Sequence, residues 1–172
     1  MIGKVIKYDR KDINTDLIIP ARYLTSSDPD HLAKHCMEDL DTDFFMNQEK
    51  YRYSILVAGS NFGCGSSREQ APIALKAAGI NCIIAPSFAR IFFRNAINIG
   101  LYIIEFEKTN LIKSGDILEI SLKKGIIKNT STKKEYNIKS IPTFLQEILN
   151  AEGLINYARH KILKGSLKKK PR

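Results

Sequence analysis

The spacing of apolar residues predicts different elements along the chain. Gly3-Lys-Val-Ile-Lys-Tyr8 alternates between apolar and polar positions and predicts a strand. Asp12 to Asp16 is turn chemistry, and Leu17-Ile-Ile-Pro20 reads as a short extended apolar piece ended by proline. Thr25 to Asp30 reads as a loop. In it, Asp28 and Pro29 have the form of an N-cap and a first helical residue, opening a helix that runs to about Met37. From Glu38 to Lys50 the chain is polar, with no clear period.

The next section is the most regular. Tyr53–Ala58 predicts a buried strand, Gly59–Gly65 a glycine turn and Ser66–Ala78 a tightly packing helix closed by Gly79. Asn81–Ala85 predicts a second strand. Ser87 is placed to cap a second helix, in which Phe88, Ile91, Phe92 and Ala96 recur at helical spacing, as core residues do. Leu101–Phe106 is a third strand. Strands alternating with helices imply parallel pairing with right-handed crossovers. Beyond them, Asp116–Leu122, Gly125–Asn129 and Glu135–Ile138 predict an antiparallel meander, followed by helices over Thr143–Asn150 and Leu154–Leu163. The expected class is α/β, with a parallel strand–helix–strand core and a short meander. One domain over residues 1–163 is expected, with a basic and disordered tail over 164–172.

Composition narrows the possibilities. No run nears the roughly 18 apolar residues that span a bilayer, and the N-terminus lacks the apolar stretch of a signal peptide, so no membrane role and a cytoplasmic setting are expected. The formal charge is +9, but Lys164, Lys168, Lys169, Lys170 and Arg172 gather in the tail. No interleaving of aromatic and basic residues marks a nucleic-acid surface, so no nucleic-acid partner is expected. Cys36, Cys64 and Cys82 are an odd, widely spaced set, which fits neither a disulfide framework nor a self-contained metal site.

Chemistry concentrates in GSNFGCGSSREQAP, Gly59 to Pro72. It is not a phosphate loop, because Ser66 rather than lysine follows Gly65. It is not a dinucleotide fingerprint, because Arg68 stands at the third glycine position of Gly63-Cys-Gly65-Ser-Ser-Arg68. Nor does it contain the GxSxG elbow. What remains is a glycine-rich strand end at an expected helix N-terminus, where free N–H groups and the macrodipole favour an anion. Ser66 and Ser67 add hydroxyls, and Arg68 adds a fork that matches a carboxylate. A plainer alternative is a capping box from Ser66 to Glu69, which leaves the arginine unexplained. Cys64 is a weaker candidate nucleophile, with no histidine nearby in sequence. His31 and His35 have helical metal spacing but no sequence-near third ligand, so they read as surface or core residues. His160 reads as structural.

GSNFGCGSSREQAP together with CIIAPSFARIFFRNAINIGL (Cys82 to Leu101) and INTDLIIPARYL (Ile13 to Leu24) resembles the swivel domain of the aconitase superfamily. More narrowly, it resembles the free-standing small subunits of 3-isopropylmalate dehydratase. The resemblance is strong from about Gly3 to Glu105. It implies a swivelling β/β/α domain of the aconitase C-terminal type that pairs with a large subunit carrying a 4Fe–4S cluster, with no cofactor in this chain. It further implies a small 2- or 3-hydroxy dicarboxylate substrate, interconverted by dehydration and rehydration.

By the same resemblance, Ser66 is the general base, Ser67 and Arg68 bind a substrate carboxylate, and Asp16 orients a histidine of the partner. A serine can act as a base only where its anion is stabilised, which an N–H-rich turn with an arginine would provide. Many members read Arg-Glu-His where this chain has Gln70 in the histidine position, which together with the short chain resembles the compact subgroup that includes homoaconitase small subunits. In that subgroup Tyr23, Leu24 and Thr25 lie in the loop that meets the variable substrate arm. Homoaconitase-like members tend to place arginine where this chain has Thr25, so an apolar arm is implied, with Arg22 close enough to be a rival cation.

Overall fold

The computed structural model describes residues 1–167. One seven-stranded sheet with strand order β4-β3-β2-β1-β5-β6-β7 organises the chain. Its parallel half is β1 (Ile2–Tyr8), β2 (Ile55–Ala58), β3 (Cys82–Ala85) and β4 (Tyr102–Glu105). Its antiparallel half is β5 (Ile117–Ser121), which pairs with β1, then β6 (Ile126–Asn129) and β7 (Lys134–Asn137). Both halves have the predicted pairing sense.

The central strands β2 and β3 read as unbroken apolar runs because both of their faces are buried. Ile6, Leu56, Ala58, Ile83 and Ile103 point into a core under the helices. Val5, Ile55, Val57, Cys82, Ile84 and Ile104 point into a second core shared with Leu118, Ile120 and Ile127 of the meander. The sheet therefore curls so that its antiparallel half covers one face of its parallel half. A third cluster, with Ile97, Ile148 and Leu149 at its centre, docks the C-terminal helices.

The helices are α1 (Thr15–Ile18), α2 (Pro29–Lys34), α3 (Phe44–Tyr51), α4 (Gln70–Ala77), α5 (Arg90–Asn98), α6 (Thr143–Asn150) and α7 (Leu154–Leu167). Asp28 caps α2 with Pro29 in its first turn, as predicted. Other elements depart from the sequence pattern. The segment expected to be extended from Leu17 begins as a helical turn, because the Asn14 side chain accepts a hydrogen bond from the Leu17 N–H and starts α1. The region without a period contains α3, which buries only Phe44 and Gln48, too sparse a stripe to register as periodicity. Helix α7 runs past Lys164, the expected start of the tail, and residues 168–172 lie outside the described residues.

Phe62 joins this core to the loops above it. It is fully buried in the glycine turn and packs edge-on against Phe88 and Phe92, with ring centroids 6.2 and 5.2 Å away. Phe62→Ala is expected to cost about 3–5 kcal/mol of stability, as large-to-small changes of a buried aromatic do. Urea unfolding measures it, and a loss below about 1 kcal/mol would show that the turn is held without this ring.

Candidate active site

The site is assembled at the carboxyl ends of β1, β2 and β3, where parallel sheets present their loops. The parallel pairing of β1 and β2 continues into those loops as backbone hydrogen bonds. Gly59 N–H donates to Arg10 O (3.1 Å), Asp12 N–H to Ser60 O (3.0 Å), Gly63 N–H to Ile13 O (2.8 Å) and Thr15 N–H to Cys64 O (2.9 Å). The Thr15 hydroxyl adds a bond to Ser66 O (2.9 Å). On the other side of the turn, Asn61 N–H donates to Ser87 Oγ (2.9 Å), Phe62 N–H to Ser87 O (3.1 Å) and Ala89 N–H to Phe62 O (2.9 Å). Ser87 therefore ties the third loop to the glycine turn and does not cap α5. The N-cap of α5 is Ala89, which makes no side-chain cap bond.

Two glycines are required by the turn itself. Gly63 has φ +77°, and a Cβ there would lie 2.2 Å from Cγ of Phe92. Gly65 has φ +90°. Gly63 thus answers to the chain's own packing rather than to a ligand's approach.

Ser66, Ser67 and Arg68 precede α4 and are not part of it. The first helical residue is Gln70, and Glu69 makes no side-chain cap bond, so the capping box from Ser66 to Glu69 does not form. The expected placement of these residues in a helix's first turn is corrected by the Thr15 bond, which holds Ser66 in the bend. Ser66 and Ser67 are exposed, and their hydroxyl and N–H groups donate to nothing among the described residues.

Arg68 is held firmly. Its Nη2 lies 2.6 Å from Asp16 Oδ1, and its Nη1 donates to Ile19 O at 3.1 Å. Its side chain is 12% exposed, against 51% for Asp16. The chain thus supplies an anion for this guanidinium, and Arg68 stands outside the first turn of α4. Asp16 sits in the first turn of α1 and brings one oxygen to Arg68, while Oδ2 has no partner among the described residues.

Ser66, Ser67 and Arg68 open onto a shallow cavity of ≈ 300 Å³, whose lining does not include Asp16. Ser66, Ser67 and Arg68 form one wall, and Arg90, Ile91 and Asn95 of α5 form the other. The pattern that assigned Ile91 to the core is corrected here. Phe92 and Ala96 are buried, but Ile91 is 50% exposed and faces the cavity. It stands about 100° around the helix from Phe92, a signal available in the sequence.

Tyr23, Leu24 and Thr25 do not line this cavity. Tyr23 ends a 3₁₀ turn (Ala21–Tyr23), stacks on His35 (3.7 Å between centroids, 8° between planes) and donates its hydroxyl to Glu38 Oε1 at 3.0 Å. Leu24 packs half-buried against the main core, and Thr25 is exposed. Arg22, the rival cation, bonds Asp39 through two nitrogens (3.0 and 2.6 Å) and Glu38 through one (3.0 Å), and lies over the Tyr23 ring. His31 and His35 belong to this stack, with His35 Nδ1 2.7 Å from Glu38 Oε2. Arg22 and His35 hold the Glu38 carboxyl below the usual carboxylate range, the His35 contact contributing most. Cys64 has its thiol pushed up, first by burial and then by the nearby Asp12 carboxylate, the opposite of an activated nucleophile.

Comparison with known proteins accords with this geometry. The aconitase C-terminal domain family matches residues 5–109. The chain is 58% identical over 168 residues to a 3-isopropylmalate dehydratase small subunit from Caldicellulosiruptor saccharolyticus, covering 97% of this chain and 92% of that protein. It is 56% identical over 161 residues to one from Ruminiclostridium cellulolyticum, covering 93% and 97%. A solved 3-isopropylmalate dehydratase structure from Methanocaldococcus jannaschii superposes with a TM-score of 0.88 at 47% identity, covering 98% of this chain and 99% of that one. The curled sheet, its loop-borne serine–arginine turn and these matches together place the chain in the 3-isopropylmalate dehydratase small-subunit family, within the aconitase C-terminal domain fold.

Proposed function

We propose that this chain is one half of a hydro-lyase active site. It acts as the small subunit that, with a large iron–sulfur subunit, interconverts 2-isopropylmalate and 3-isopropylmalate in leucine biosynthesis, in the cytoplasm. The observation that carries the reading is the pairing of the unpartnered Ser66 and Ser67 hydroxyls with a largely buried, pre-oriented Arg68 in one open cavity. Family membership supports the reaction class.

The chain's own thiols do not suit the cluster. Cys36 is buried beneath the helices and Cys82 in the core on the opposite face of the sheet. No three potential metal ligands stand together among the described residues. In this reading the large subunit holds the cluster, which would supply Lewis acidity there.

The reaction removes a proton beside a carboxylate and expels hydroxide, then adds water back with the two positions exchanged. Ser66 Oγ takes and returns the carbon-bound proton. An alkoxide there needs nearby positive charge, which Arg68 and the free N–H groups of the turn provide. Ser67 and Arg68 hold a substrate carboxylate. Asp16 steadies Arg68 through Oδ1 and keeps Oδ2 for a histidine of the large subunit. Two observations favour an alkyl-armed substrate over homocitrate: Ile91 gives the cavity exposed apolar surface, and Arg22 is occupied by Asp39 and Glu38. Tyr23, Leu24 and Thr25 lie outside this cavity and would meet the substrate only if the large subunit closes the site against their loop.

The complex reconstituted with its large subunit is expected to turn over isopropylmalate and not homocitrate, and the reverse preference would overturn the substrate assignment. Ser66→Ala is expected to lower kcat by about 10²–10⁴-fold with assembly intact. Retained turnover would remove Ser66 as the base. Arg68→Lys is expected to lower kcat/KM by about 10–100-fold, because lysine cannot hold Asp16, the Ile19 carbonyl and a carboxylate in one plane. Cys64 is expected to alkylate more slowly than free cysteine at pH 7.5, its rate still climbing above the pH at which free cysteine levels off, since its thiol gives up its proton at higher pH. Labelling at or above the free-cysteine rate would restore it as a nucleophile.

A further inference from the structure

The substrate class proposed above carries two carboxylates, and Arg68 already shares its charge with Asp16. A second guanidinium lines the same cavity. Arg90 is the first residue of α5, is exposed, and makes no ion pair or side-chain hydrogen bond among the described residues. Arg90 also borders a separate hollow that contains Arg94 and Glu105, and it forms no ion pair with that carboxylate. Folding offers no reason for a cation here. The first turn of a helix is its positive end, where an arginine is disfavoured by some tenths of a kcal/mol. No acidic residue in the first turn offsets it.

Arg68 enters the cavity from the turn after β2, and Arg90 from the loop after β3. The backbone bonds from Phe62 to Ser87 and Ala89 fix those two loops against each other. The cavity's ≈ 300 Å³ is at the small end of ligand sites, so a short dicarboxylate would span from one wall to the other.

We propose that Arg90 binds the second substrate carboxylate, the one Arg68 does not hold. The assignment rests on the dicarboxylate reading of the site. It extends that reading to a residue on a separate element, and gives the substrate a guanidinium on each wall of the cavity, one shared with Asp16 and one unpaired among the described residues.

The test uses the reconstituted complex. Arg90→Gln is expected to raise KM for isopropylmalate by about 10–100-fold while kcat changes by less than about threefold, the signature of a contact made equally in ground and transition states. Arg90→Lys is expected to recover part of the loss. Two inhibitors that differ by one carboxylate separate binding from a structural role. Arg90→Gln is expected to weaken 2-isopropylsuccinate and leave 4-methylpentanoate unchanged. Equal weakening of both, or an unchanged KM, overturns the assignment. If excess large subunit restores the wild-type KM, Arg90 is an interface residue and the proposal falls. A wild-type complex that turns over no isopropylmalate overturns the functional reading and the Arg90 assignment together, whereas wild-type turnover with an unaltered variant overturns only the assignment.

Discussion

Every feature of the site depends on the hydrogen bonds that carry the β1–β2 pairing beyond the ends of those strands. Gly63 N–H to Ile13 O and Thr15 N–H to Cys64 O are ordinary bonds of 2.8 and 2.9 Å, each contributing about 1 kcal/mol net. Their importance is positional. They bring the turn containing Asp16 and the turn containing Arg68 to a fixed register, and the bond from the Thr15 hydroxyl then places the backbone of Ser66. One residue added to or removed from either turn would misalign Asp16 and Arg68 while leaving the cores on both faces of the sheet intact.

That register is what lets a largely buried guanidinium stand next to two exposed serines. A charge withdrawn from water is tolerated only when it is paired and hydrogen-bonded. Arg68 has Asp16 on one nitrogen and the Ile19 carbonyl on the other. Its orientation is therefore set before any ligand arrives. Arg22 is also fixed by its partners, although half of its side chain is exposed. Asp39, Glu38 and the Tyr23 ring hold it, and this cluster fastens the 3₁₀ turn to the end of α2.

The two walls of the cavity differ in character. The wall from the β2 turn is fixed by backbone bonds, tightly packed glycines and an ion pair. The wall from α5 presents Arg90, unpaired among the described residues, and a half-exposed Ile91. A domain that leaves two serines, an arginine and an isoleucine exposed around an open cavity is shaped to be completed from outside, in keeping with the small-subunit family to which it belongs.

The sequence by itself determined the alternation of strand and helix through the middle of the chain, the meander after it, and that Ser66, Ser67 and Arg68 gather at the glycine turn after β2. Those signals are local: apolar runs of strand length, glycines at turns, and polar side chains gathered where a core cannot use them. Tertiary structure alone decided which anion Arg68 holds, that Ser87 ties loops instead of capping a helix, that Ile91 faces a cavity while Phe92 beside it is buried, and that Tyr23 stacks on His35 away from the site. Each of these depends on a contact between segments far apart in the chain. A helix cap and a loop tie require the same serine, and a core face and a cavity wall can occupy adjacent positions on one helix. Periodicity and spacing cannot separate such alternatives until the sheet register brings the partners together.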